Sequence, residues 1–277
     1  MTKNIVEKIE PIFEQKIWAG NNLHTLYPQS SIKCQLGEVK LLSPYQCYDD
    51  KYLINGIIPI VKLIDAESPL SIQLHPNYSE WWYIVKCKKN ASVKVGVKKK
   101  YLNKFCEKCF NNIGIDKVLN TLTVKEGDVI KVYPGTIHSI GGGILICEVS
   151  LWENITYRID DFNRIDYSGN TRELHLDKAF GNVNKEILQY KKYEARKDTQ
   201  VILNENGLSI TFINISYPGK KVNLNKKAYI IILDGIGEII NNEKSCKIRK
   251  GDSFFICSEN NLIYVIGKIK CIIIKAL

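Results

Sequence analysis

No stretch of about 20 consecutive apolar residues occurs in the chain, so nothing in it reads as a membrane-spanning helix. The opening run, MTKNIVEKIEPIFEQ, is charged throughout and lacks the apolar centre of an export signal. A cytoplasmic protein without a membrane partner is expected. Acidic residues are in the minority, 29 against 39 lysines and arginines, which leaves a net charge of +10. The basic residues are scattered, as in KVGVKKKYLNK (94–104) and KKYEARK (191–197), with few aromatics between them on which bases could stack. A nucleic-acid partner is therefore not expected, and the excess reads as a lysine-rich surface compatible with a small anionic ligand. Histidine is scarce, with 4 residues at positions 24, 75, 138 and 175. Cysteine is not scarce, but 9 is an odd number and most stand singly in apolar runs, such as Cys147 in ILICEV and Cys257 in FFICSE. Reduced thiols fit this better than a disulfide framework. The one CxxC, Cys106 to Cys109, has no second pair at zinc-knuckle spacing and reads as helix surface without a metal.

What is abundant is the strand pattern. Runs rich in Ile, Val, Tyr and Leu recur between Gly, Pro and Asn punctuation: IIPIVKLI (57–64), WWYIVKC (81–87), ASVKVGV (91–97), DVIKVYP (128–134) and GILICEVS (143–150). Strands at such intervals indicate a β-sandwich or barrel. Two patches interrupt them with helix-like spacing, 103–122 and 174–193. The polar segment 194–200 reads as a linker, after which LSITFINIS, YIIILDGIGEII and NLIYVIGKIKCIIIKAL resume the pattern. The expected division is a first domain over 1–193 and a smaller β-domain over 194–277. The two halves share a local motif. Lys125-Glu126-Gly127-Asp128-Val129-Ile130 resembles Arg249-Lys250-Gly251-Asp252-Ser253-Phe254, a tight Gly-Asp turn entering an apolar strand. A distant internal repeat follows, with one asymmetry: His138 lies downstream of Gly127, and no histidine follows Gly251.

The scarce histidines are informatively placed. In Ser71-Ile72-Gln73-Leu74-His75 a strand puts Ser71, Gln73 and His75 on one face. A short turn, Pro76-Asn77-Tyr78-Ser79, returns the chain to Glu80 at the start of the next strand. A third segment, GDVIKVYPGTIH, ends on His138. Imidazole, amide oxygen and carboxylate together suit Zn²⁺ or another first-row divalent ion. His24 and His175 have no such company and read as structural.

This spacing resembles the cupin barrel, whose first motif carries ligands as H-x-H-x(3,4)-E and whose second is G-x5-P-x-G-x2-H. Gln73 stands at the first histidine, His75 and Glu80 follow in register, and Gly127, Gly135 and His138 fit the second motif, with Tyr133 where proline is usual. Glutamine at the first position narrows the resemblance to the type I mannose-6-phosphate isomerases in their short bacterial form. PIFEQKIWAGNNL, Gly37-Glu38, IDAESPLSIQLHP, EWWYIV, GDVIKVYPGTIHSIGGGILICEVS and TYRIDDFNRIDYSGNTRELHLDKA are similar, in order, to that family's segments between about residues 11 and 180.

The resemblance implies a mostly β fold of two cupin-like jelly-roll barrel halves with a few short helices, the second half without metal ligands. It implies one Zn²⁺ per chain, held by Gln73, His75, Glu80 and His138. It also implies interconversion of mannose 6-phosphate and fructose 6-phosphate through a cis-enediol, on a small phosphorylated sugar, by a monomer or weak homodimer. Arg158 falls on the family's active-site arginine, and Ser71, Glu148 and Asp161 are candidates for substrate contact. Two departures stand out. The family's lysine two residues before the metal glutamate is absent, since Tyr78-Ser79 stands there in a shortened loop, with Lys86 and Arg172 as candidate replacements. The stretch 148–158 reads EVSLWENITYR, which brings in Trp152 and Glu153. The alternatives are a non-catalytic sugar-binding or regulatory zinc cupin, or an isomerase of another sugar phosphate.

Overall fold

A computed structural model describes residues 4–102, 113–151, 155–186, 188–194, 201–216, 218–242 and 244–277. Cys106, Cys109, Trp152, Glu153 and almost all of the expected linker lie outside them. The described chain is mostly strand with a few short helices, none long and apolar enough to cross a membrane. It divides into two compact units, one of Phe13–Val39 and Lys62–Ala195, the other of Met1–Ile12, Lys40–Val61 and Arg196–Leu277. This grouping differs from the linear division into 1–193 and 194–277 at its N-terminal side. The reason is pairing: Ile5–Lys8 is an outer strand beside Ser253–Cys257, with Lys8 opposite Phe254.

In the first unit a five-stranded sheet runs in the order Tyr157–Asp160, Ile72–Leu74, His138–Ile140, Ser92–Val97, Leu119–Thr123. A seven-stranded sheet runs Tyr190–Tyr193, Val129–Val132, Glu80–Cys87, Ile144–Ser150, Ile60–Ala66, Leu36–Leu42, Ile12–Gln15. Two helix-like patches are thereby corrected in part. Residues 119–123 pair with Ser92–Val97, and 190–193 pair with Val129–Val132; among the described residues around them, Leu176–Gly181 and the single turns Lys99–Leu102 and Ile115–Val118 are helical. Leu119 and Leu122 carry a spacing that mimics a helix, but the strand offers them a ladder and a core.

Alternation explains where the site falls. On the Glu80–Cys87 strand, Glu80, Trp82 and Ile84 share a face. Lys62, Ile64 and Ala66 do so on a second strand, and Ile144, Ile146 and Glu148 on a third. The apolar members join one core with Val93, Val95, Ile130 and Ile140. Each strand thus contributes apolar side chains to the core and one charged residue beside it, Glu80, Lys62 or Glu148, all buried.

The second unit repeats this plan without the charges. Gly127 and Gly251 both take the left-handed conformation, at φ 86° and 88°, which side chains rarely adopt. In each turn the aspartate accepts a backbone N–H at 3.0 Å, from Lys125 or from Arg249. Each aspartate also meets a lysine on the adjoining outer strand, Lys192 with Asp128 at 3.0 Å and Lys8 with Asp252 at 2.7 Å. Carrying the match through the pairings sets Trp82 against Ile230, Glu80 against Ala228 and Glu148 against Ile273. Those three replacements lie in one apolar core of the second unit.

Candidate metal centre

The Ile72–Leu74 strand lies between two neighbours. His138 pairs with Gln73 on one side and Arg158 pairs with Gln73 on the other, so the three residues form one rung. Directly opposed residues project to the same face of a sheet. The turn before His138 is tied to the same strand, as the Gly135 N–H donates to the His75 carbonyl at 2.7 Å. Gly135 has φ 69°, and a Cβ there would come within 2.5 Å of the Asn182 carbonyl oxygen, so glycine is required.

The rung meets Glu80 from the other sheet. The donor atoms of His75, Glu80 and His138 lie within 4.8 Å of one another, and all three residues are buried. His75 Nε2 is 3.0 Å from Glu80 Oε1, and His138 Nε2 is 3.7 Å from Glu80 Oε2. The Trp82 indole N–H donates to Glu80 Oε2 at 3.0 Å and holds the carboxylate plane. The Gln73 amide nitrogen lies 3.4 Å from His75 Nε2, while the Ser71 hydroxyl donates to the amide oxygen at 2.9 Å. A half-turn of that amide exchanges the two atoms and presents its oxygen to the cluster, with Ser71 then accepting.

The donor set fits a divalent cation. His138 Nδ1 faces the Thr136 carbonyl at 2.9 Å, an acceptor only, so Nδ1 carries the proton and Nε2 holds a lone pair. That Nε2 is buried and has no hydrogen-bond partner among the described residues. Burial lowers the His138 ring to about 4, with Glu80 opposing, so it is neutral, the form a metal requires. Burial works to raise the Glu80 carboxyl, but His75, His138 and Lys62 reverse this and lower it to about 2. An ionised carboxylate and an unused imidazole nitrogen in a dry cage are what a cation satisfies.

One charged neighbour has no signal in any motif. Lys62 Nζ is 3.3 Å from Glu148 Oε1, and both side chains are buried. Burial works against the Lys62 ammonium, yet Glu148, Glu38 and Glu80 hold its pKa above the ordinary lysine value. Burial and the Glu80 charge push the Glu148 carboxyl up to about 7 against the pull of Lys62. The available sequence signal was a lone lysine inside IIPIVKLI. Neither expected replacement for the family lysine does this. Lys86 is exposed and donates to Asn22 at 3.2 Å, and Arg172 is turned to Asp161.

In the metal-free protein this pair has a pH signature. Glu148 ionises near 4.5 when unfolded and about 7 when folded. Between those values the folded state holds the extra proton, so the carboxyl's contribution is full below 4.5 and is lost as pH rises to about 7. Lys62→Met raises the folded value further. The variant is expected to lose about 3–5 kcal/mol at pH 8 and less at pH 6, read by urea unfolding. An equal loss at both pH values would contradict the assignment.

Arg158 is fixed at its backbone by His175, whose ring accepts the Arg158 N–H at 3.1 Å while the His175 N–H donates back to the Arg158 carbonyl at 2.7 Å. Its Nη1 donates to the Glu173 carbonyl at 2.8 Å, and its buried Nε has no partner. Burial and the nearby Arg172 lower its pKa. Asp161 is taken by two arginines: Arg164 Nη2 donates to it at 2.5 Å and Arg172 Nε at 2.7 Å. Its carboxylate therefore organises this pair of arginines. Asp65, in the Ile64-Asp65-Ala66 run, accepts N–H groups from Asn22 and Leu23 and anchors the Asn22–Leu26 turn.

Fold and site together define a mostly β protein of two cupin-like halves, one carrying a His–Glu–His constellation suited to a metal. No family model matches the chain. Among characterised proteins it is similar to the mannose-6-phosphate isomerase ManA of Bacillus subtilis (strain 168), 27% identical over 89% of this chain and 91% of that one. The mannose-6-phosphate isomerase of Streptococcus mutans serotype c is 25% identical over 89% and 92%. The crystal structure of a mannose 6-phosphate isomerase from Bacillus subtilis superposes with a TM-score of 0.73 at 22% identity, covering 97% of this chain and 99% of that one. A mannose 6-phosphate isomerase bound with zinc and yttrium superposes at 0.68 with 11% identity, over 98% and 99%. The resemblance read from the motifs is thus the one the comparisons return: the type I mannose-6-phosphate isomerases.

Proposed function

We propose that this chain is a zinc-dependent aldose–ketose isomerase that interconverts mannose 6-phosphate and fructose 6-phosphate. It would act in the cytoplasm as a monomer or weak homodimer, with no nucleic-acid or membrane partner. The observation that carries the reading is the buried His75–Glu80–His138 cluster with its unpartnered His138 Nε2, in a chain aligned over 89% of its length with enzymes of that name.

Gln73, His75, Glu80 and His138 would hold the ion, which when bound supplies a fixed positive charge and Lewis acidity beside the sugar oxygens. The other roles fall to side chains of this chain. Isomerisation moves a carbon-bound proton between C1 and C2 through a cis-enediol while a hydroxyl proton passes between O2 and O1, and one group that takes and returns the carbon-bound proton serves the first of these transfers. Glu148 suits this, since a carboxyl raised to about 7 is available in both forms near neutral pH. Lys62 holds that carboxylate in place. Arg158, which shares the Gln73 rung of the sheet, would bring a permanent positive charge for the anionic substrate. Ser71 orients the Gln73 amide, and Asp161 aligns Arg164 and Arg172 as further positive charge for the phosphate.

Tyr78 at the family's lysine position favours a second reading, a zinc cupin that binds sugar without turning it over. Metal analysis with a panel of hexose 6-phosphates separates the two. The proposal expects stoichiometric zinc and turnover that is fastest on mannose 6-phosphate. Stoichiometric zinc with no turnover on any of the panel would favour the binding protein.

A further inference from the structure

His75 is held differently from His138, and the difference comes from the shortened loop. The loop Pro76-Asn77-Tyr78-Ser79 turns Tyr78 inward, where it is buried and its ring stacks on His75 with centroids 4.7 Å apart and planes at 28°. The Tyr78 hydroxyl lies 2.5 Å from His75 Nδ1. The Ile155 carbonyl lies 3.1 Å from the same nitrogen and the Thr156 hydroxyl 3.4 Å. A carbonyl can only accept, so Nδ1 carries a proton, and Nε2 is the ring nitrogen aimed at Glu80 and left for the ion. The hydroxyl oxygen, nearer than the carbonyl, accepts from that same N–H, while stacking fixes the rotation of the ring. His138 has only the Thr136 carbonyl in the corresponding place.

We propose that Tyr78 is a positioning residue for the metal ligand His75, its hydroxyl holding the Nδ1–H so that Nε2 is aimed and made more basic toward the ion. This rests on the metal reading above. Outer-sphere partners of ligating histidines govern affinity by roughly 10–100-fold, and this one is built from a residue beside the ligand in sequence.

The test is Tyr78→Phe, which keeps the stacked ring and removes only the hydroxyl. Zn²⁺ affinity is measured by competition with a chromophoric chelator, beside the melting temperature of the metal-free protein. The expected result is a 10–100-fold weaker Zn²⁺ affinity with an unchanged metal-free melting temperature, and turnover restored by excess Zn²⁺. Unchanged Zn²⁺ affinity would overturn the proposal, whatever the melting temperature does. Ring ¹⁵N shifts of the zinc-loaded parent give a reading that needs no variant: at His75, Nδ1 protonated and Nε2 metal-bound is expected, and coordination through Nδ1 would overturn it. A parent chain that binds no Zn²⁺ would instead remove the metal reading itself.

Discussion

His138→Ala is expected to abolish metal binding and turnover together while leaving the barrel folded. The imidazole offers its lone pair into a cage where Glu80 is already held by Trp82 and His75. Removing it subtracts one donor from the proposed set. Zn²⁺ affinity should fall by well over the roughly 100-fold that loss of an outer partner alone can cause. The fold should survive in the metal-free state, because His138 is neutral there and its Nε2 contributes no hydrogen bond. Metal content by elemental analysis, with circular dichroism of the same sample, checks both halves. Stoichiometric zinc retained in a folded variant would mean that His138 is not a ligand.

Arg158→Ala is expected to do the reverse, keeping the metal and losing the reaction. Arg158 faces the same side of the sheet as Gln73, but its described hydrogen bonds run to the Glu173 carbonyl and to His175. The four proposed donors stay as they are. What is lost is a fixed positive charge for the substrate anion and the negative charge of the enediolate, an effect of about 10²–10³ in kcat where one such donor is removed. Lysine should rescue poorly, because it keeps the charge but not the planar fork. Normal zinc content with kcat within about threefold of the parent would show that Arg158 is misassigned, since so small a change is far below the cost of a lost transition-state contact.

His138 was legible from spacing, and Arg158 from the family resemblance alone. Alternation over 71–75, the return to Glu80 and the Pro-Gly turn before His138 are local patterns, and local patterns survive in a linear sequence. The strands Glu80–Cys87, Ser92–Val97 and Ile144–Ser150 were legible for the same reason. Features that depend on distant partners were not. Ile5–Lys8 is a short, partly polar strand whose mate begins near residue 253, so nothing around it marks its place in the second unit. Tyr190–Tyr193 hides in a lysine-rich run that looks helical until Val129–Val132 is beside it. Lys62 reads as an interruption of an apolar strand and acquires meaning only from Glu148, 86 positions away. Asp161 was read as a substrate contact, and its pairing with Arg164 and Arg172 is visible only in three dimensions. Tyr78 looked like the loss of a lysine, whereas the short loop lays its ring against His75.

The apolar second unit sharpens the assignment of function to the first. At matched positions Ala228, Ile230 and Ile273 replace Glu80, Trp82 and Glu148, so one barrel buries hydrocarbon where the other buries charge. Buried charges are costly unless paired or bound to a metal. The second unit fills the matched positions with hydrocarbon, so the fold does not require charge there, and its presence in the first is best explained by chemistry.

The most direct test of that chemistry is a coupled assay of mannose 6-phosphate conversion to fructose 6-phosphate on one preparation, before and after a chelator and again after Zn²⁺ is returned. The expected result is turnover that the chelator removes and Zn²⁺ restores. Turnover that persists in chelator at zero bound metal, or a zinc-loaded protein that never converts the sugar, would contradict it.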